Sequence, residues 1–79
     1  MIRTILRSLL LTRDEKNVLV WHEMGRNKTY LAGDVIKRTN LLAGDVFSAL
    51  YVLEHVGVVS SEWLDEKSPR RRLYRRTDR

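Results

Sequence analysis

The stretch Gly44-Asp45-Val46-Phe47-Ser48-Ala49-Leu50-Tyr51-Val52-Leu53-Glu54-His55-Val56-Gly57 constrains this chain most. Val46, Leu50, Leu53 and Gly57 recur at steps of four, three and four, with Phe47 widening the stripe. That is the period of a helix with one buried face. Gly57 supplies a stop signal, and the apolar, β-branched Val58 and Val59 after it suit a strand.

A shorter helical pattern lies just upstream, about Leu31 to Thr39, with Leu31, Val35 and Ile36 inward. Only Asn40 to Ala43 separate the two patterns, and Asn40 can take the left-handed geometry of a tight turn. Two helices joined this closely read as a helix-turn-helix. The pentapeptide Leu-Ala-Gly-Asp-Val occurs at 31–35 and again at 42–46. Each copy is expected to begin a helix, where an early Asp complements the dipole.

Two further helices are expected before this pair. Ile2, Ile5, Leu6, Leu9 and Leu10 line one side of a short amphipathic helix, with Arg3, Thr4, Arg7 and Ser8 on the other. So short a helix cannot stand alone in water, so its apolar face needs cover. Thr12-Arg13-Asp14-Glu15 has capping-box spacing. It predicts a helix from about Arg13 to Met24, with Val18, Leu19, Trp21 and His22 in its middle and His22 a polar tip at the core edge. Gly25 is expected in the left-handed position after it. Thr29 and Tyr30 either form a one-bridge strand, or Thr29 caps the next helix.

Beyond Gly57, Val58, Val59, Ser61, Trp63 and Leu64 have strand chemistry. Asp65 to Pro69 is turn-like, and Arg70 to Thr77 reads as a returning strand with Leu73 and Arg75 opposite Tyr74. Trp63 is expected to pack on or under this hairpin. The fold class is therefore mainly α with a small β-wing: a winged helix-turn-helix with an extra N-terminal helix. Residues 1–11 form that helix and residues 12–79 the winged domain.

Charge points toward a partner. The 79 residues carry a net charge of +5, unevenly spread. From Leu41 to Glu66 there are acids (Asp45, Glu54, Glu62, Asp65, Glu66) and no Lys or Arg. From Lys67 to Arg79 the bases are Lys67, Arg70, Arg71, Arg72, Arg75, Arg76 and Arg79, against Asp78 alone. Such a step suits a polyanion-binding edge, or else a solvated basic terminus.

Other function classes recede. With no cysteines and only His22 and His55, the residues offer neither a disulfide framework nor a metal site. No glycine-rich phosphate loop or nucleophile–base pair is present, so no enzyme and no cofactor are expected. No signal-peptide pattern and no apolar run of about 20 residues occurs, so no membrane partner is expected. The expected location is cytoplasmic, nucleoid-associated when bound to DNA.

Gly44 to Val59 resembles the recognition helix of PadR-like winged-helix transcriptional regulators. The shared features are the aromatic Phe47, Leu50, Leu53, the acid Glu54 and Gly57. Ser60-Ser61-Glu62-Trp63 and Arg70 to Asp78, with Tyr74-x-x-Thr77, resemble that family's wing. The likeness runs from about Gly33 to Asp78. It implies sequence-specific duplex DNA binding by a homodimeric regulator, a repressor acting by promoter occupancy. Alternatives are a winged helix used for protein–protein contact and an architectural DNA-binding protein of low specificity.

On this reading the DNA-binding candidates are Lys28, Thr29, Tyr30, Ala43, Gly44, Ser48, Tyr51, Val52, Arg70, Arg71 and Arg72, with Lys37 and Arg38 adding phosphate contacts. The outer face of the recognition helix offers Ser48, Tyr51, Val52 and His55 but no Arg for guanine. The family usually continues into a long dimerising helix, and this chain stops at Arg79. Ile2, Ile5, Leu6, Leu9 and Leu10 are therefore the expected dimer interface, unless that helix packs within its own domain.

Overall fold

Local chemistry sets most of the element boundaries. The computed structural model describes residues 2–63 and 72–77. Its helices are α1 (Ile2–Leu10), α2 (Arg13–Glu23), α3 (Ala32–Thr39) and α4 (Ala43–His55). Strands β1 (Val59–Trp63) and β2 (Arg72–Arg76) follow and pair antiparallel, Val59 opposite Arg76 and Trp63 opposite Arg72. The fold is thus mainly helical with a small antiparallel sheet. The expected turn at Asp65 to Pro69, with Arg70 and Arg71, lies outside the described residues.

The capping box at α2 forms as the spacing requires. The Glu15 N–H donates to Thr12 Oγ1 at 3.1 Å, and the Thr12 N–H donates to Glu15 Oε1 at 2.8 Å. The Thr12 N–H, and after it the Thr12 hydroxyl, hold the Glu15 carboxyl below the usual carboxylate range. Both Leu-Ala-Gly-Asp-Val copies start helices, with Leu31 and Leu42 at the N-cap. Thr29 does not cap α3; the Leu31 N–H donates instead to Asp34 Oδ2 at 3.2 Å.

α3 and α4 are separated by Asn40, Leu41 and Leu42 alone. Asn40 takes φ 57, the left-handed geometry expected of it. Leu41 is buried in the core, which pins the turn beneath the helices it joins. After α4, Gly57 turns at φ 87, where a side chain would be strained.

The core gathers Val20 from α2 and Met24 just after it, Val35 from α3, Val46, Ala49, Leu50 and Leu53 from α4, and Val59 and Tyr74 from the sheet. In the middle of α2, Val18 is exposed and Val20 is the residue buried in the core. Val18, Leu19 and Val20 form a continuous apolar run, so only the packing of α2 on α4 selects among them. Phe47, expected to widen the buried stripe, is a correction. It lies outside the buried stripe and is 52% exposed, because Ala49 completes the face that Val46, Leu50 and Leu53 bury.

Gly25 is not left-handed. Its role is steric: the Tyr30 phenol lies against it, and a Cβ there would meet the hydroxyl oxygen at 2.9 Å. Tyr30 forms the expected single bridge, exchanging backbone bonds with Tyr74 at 2.9 and 2.8 Å. The Tyr74-x-x-Thr77 segment closes the fold at its other end, where Thr77 Oγ1 donates to the Gly57 carbonyl at 2.6 Å.

Candidate nucleic-acid interface

α4 divides its surface sharply. Its inner face is core; its outer face presents Phe47, Tyr51 and His55 at steps of four, one above another. Tyr51 is 72% exposed and its ring stacks on His55, centroids 6.3 Å apart and planes 10° from parallel. Ala43 and Gly44 are exposed at the start of the helix, whereas Val52 is half-buried. Phe47, absent from the sequence-based set, therefore joins Tyr51. The signal was present in the four-residue step between them.

Two cations reach this helix from α2. Arg13 Nη1 donates to Ser48 Oγ, and Lys16 Nζ pairs with Asp45 Oδ2 at 3.0 Å. Arg13 thereby brings a positive charge to a helix without Lys or Arg of its own, while Lys16 neutralises Asp45. Arg13 lies 35 residues from Ser48 in sequence, too far for any spacing argument to connect them.

Asp45 is held below the usual carboxylate range, chiefly by the Lys16 hydrogen bond; partial burial opposes this, and the Ser8 hydroxyl adds to it. A carboxyl depressed on folding stabilises above its unfolded value, near 3.9, and loses that contribution as pH falls through the folded one. Asp45→Asn is expected to cost about 0.5–1 kcal/mol at neutral pH, since the paired side chains are 17% and 22% exposed. In thermal melts against pH, the gap to wild type should hold above about pH 5 and close below about pH 4. A gap persisting in strong acid would assign the effect to an uncharged hydrogen bond.

The remaining candidates divide. Lys28, Thr29 and Lys37 are exposed. Tyr30 is not a surface contact: it is 7% exposed, and its hydroxyl accepts from the Gly25 N–H at 2.7 Å. The bridge to Tyr74 draws the phenol into the core. Arg38 is tied down, its Nε donating to the Glu23 carbonyl at 3.0 Å and its guanidinium 5.7 Å from the Tyr30 ring centroid. Arg72 sits over Trp63 on the neighbouring strand, 4.5 Å from its ring centroid, so that Trp63 packs on the sheet. Arg75 is exposed; Arg76 lies 3.6 Å from the Trp21 ring centroid and donates to the Met24 carbonyl at 3.1 Å.

At the other end, α1 is mounted polar side inward. The buried Ser8 hydroxyl accepts from the Leu42 N–H at 2.9 Å, and Thr4 Oγ1 donates to Asn40 Oδ1 at 2.6 Å. Both anchors fall on the turn between α3 and α4. The apolar face of Ile2, Ile5, Leu6, Leu9 and Leu10 is exposed, so it does not pack within its own domain.

Among the described residues no group of His, Cys, Asp or Glu could hold a metal ion, and no helix is long and apolar enough to cross a membrane. Compared with known proteins, the chain matches no family model, no curated protein and no solved structure.

Proposed function

We propose that this protein binds duplex DNA as a homodimeric transcription regulator, with α3 and α4 as a helix-turn-helix and β1 and β2 as a wing. The observation that carries the reading is the two-faced α4. Its core side is fully packed, the turn to α3 is pinned by Leu41, and the outer side leaves Phe47 and Tyr51 uncovered. Helix, tight turn, helix and antiparallel pair in that order is how a winged helix presents one helix to a major groove. The resemblance of residues 33–78 to PadR-like regulators supports the same reading, and with it repression by promoter occupancy.

Readout on this proposal uses the Tyr51 hydroxyl, apolar contact of Phe47 with thymine methyls, and DNA shape. Ser48, held by Arg13, sits beside them. Lys28, Lys37 and Arg75, all exposed, are the proposed phosphate contacts. A second reading draws on the same exposed aromatic pair. Without Lys or Arg on α4, Phe47 and Tyr51 also suit a protein partner.

A competition shift assay with random duplex separates these readings. A preferred site selected from a random library should outcompete random duplex at least a thousandfold, as specific regulators do. Affinity should fall with salt at a slope of about −0.9 per neutralised phosphate. Binding without preference favours an architectural role, and no binding at low salt favours the protein partner.

A further inference from the structure

Between α1 and α2 runs an open groove of about 880 Å³. Its floor is apolar, built from Leu6, Leu10, Leu11, Val18 and Leu19. Its two walls carry opposite charge: Arg3 and Arg7 on the α1 side, Asp14 and Glu15 on the α2 side. Among the described residues, no ion pair joins the two rims across the groove. α1 packs little against the other helices and strands, held by Ser8 and Thr4 on its polar side.

We propose that a second copy of this chain fills this groove. The two α1–α2 hairpins dock about a two-fold axis, Arg3 and Arg7 of each facing Asp14 and Glu15 of the other. The inference rests on the dimer half of the proposed function and not on its DNA half.

The charge pattern selects this occupant. A purely acidic or purely basic helix would satisfy one rim and be repelled by the other. An uncharged apolar ligand would use neither rim. The groove calls for an apolar helix pair with a basic edge and an acidic edge, and the chain itself presents one. A two-fold interface is self-complementary: if one residue meets another across it, the reverse contact also forms. Pairing unlike rims therefore doubles every attraction. Pairing like rims would set Arg3 and Arg7 against themselves.

The geometry also gives α2 two tasks. Asp14, Glu15 and Val18 face the groove, while Arg13 and Lys16 grip α4 at Ser48 and Asp45. The surface where copies meet is thus one helix away from the outer face of α4.

The test is sedimentation equilibrium without DNA, with circular dichroism to verify folding. One variant carries Arg3→Glu and Arg7→Glu. The other carries Asp14→Lys and Glu15→Gln, the glutamine preserving the capping box. Wild type is expected to dimerise, and each variant to weaken self-association by about 10–100-fold. An equimolar mixture should recover a heterodimer, a rescue that a folding defect could not produce. Leu10→Glu, at a side chain 79% exposed in the single chain, should also yield a folded monomer.

A monomeric wild type overturns the proposal, and if it co-sediments with anionic vesicles, α1 is a membrane-surface helix instead. Folded rim variants that associate like wild type, or that stay monomeric when mixed, overturn the pairing of unlike rims. A wild-type dimer that binds no DNA would leave this inference standing and remove the DNA reading alone.

Discussion

Leu50→Ala is expected to cost about 2–5 kcal/mol of folding free energy, the range for emptying a buried leucine site. Leu50 is 1% exposed and lies among Val46, Ala49 and Leu53 in the middle of the core. A chain of this length holds only about 4–12 kcal/mol at the usual stability per residue. A urea titration followed by circular dichroism should place the variant's midpoint far below that of wild type, near or at loss of the fold. The surroundings give little room to collapse, since the turn beneath α4 is fixed by the left-handed Asn40 and the buried Leu41. A shift under about 1 kcal/mol would mean that the helices repack around the space, and that the core is less defined than its burial indicates.

Tyr51→Ala should do the reverse: leave stability nearly intact and remove discrimination. The ring is 72% exposed and stacks on His55, so the folding cost should stay within about 0.5 kcal/mol. If the Tyr51 hydroxyl reads a base, the preferred site should lose about 1–3 kcal/mol, roughly 5–150-fold, with much less change on random duplex. Fluorescence titration on both DNAs measures the two losses separately. An equal loss on both would mean that Tyr51 touches only the backbone. Phe47→Ala is the companion experiment, because the same face carries it one turn earlier.

Some features of this fold are written in neighbouring residues. The capping box needs only Thr12 and Glu15, and it forms. The turn between α3 and α4 needs a residue that tolerates φ near +57°, and Asn40 provides it. The step pattern of Val46, Leu50 and Leu53 assigns the inner face of α4, because a helix places those positions together whatever surrounds them. The bridge between Tyr30 and Tyr74 was legible as a strand fragment beside the returning strand, although the burial of the Tyr30 ring was not.

Other features belong to the tertiary structure. The two Leu-Ala-Gly-Asp-Val copies share one local conformation, yet their aspartates do different work. Asp34 turns back to the Leu31 N–H, while Asp45 is drawn to Lys16 and leaves the Leu42 N–H to Ser8. Nothing within either pentapeptide distinguishes them; the approach of α1 and α2 does. The same approach chooses Val20 over Val18, turns Phe47 outward and brings Arg13 to Ser48. It also sets α1 with its polar side on the protein. An amphipathic pattern says that a helix has two faces, and only the partners it meets decide which one is covered. The local sequence determined where the helices begin and turn, because caps and backbone dihedrals act over a few residues. The tertiary structure decided which side chains remain for a partner, because that depends on contacts between residues 29 to 36 positions apart.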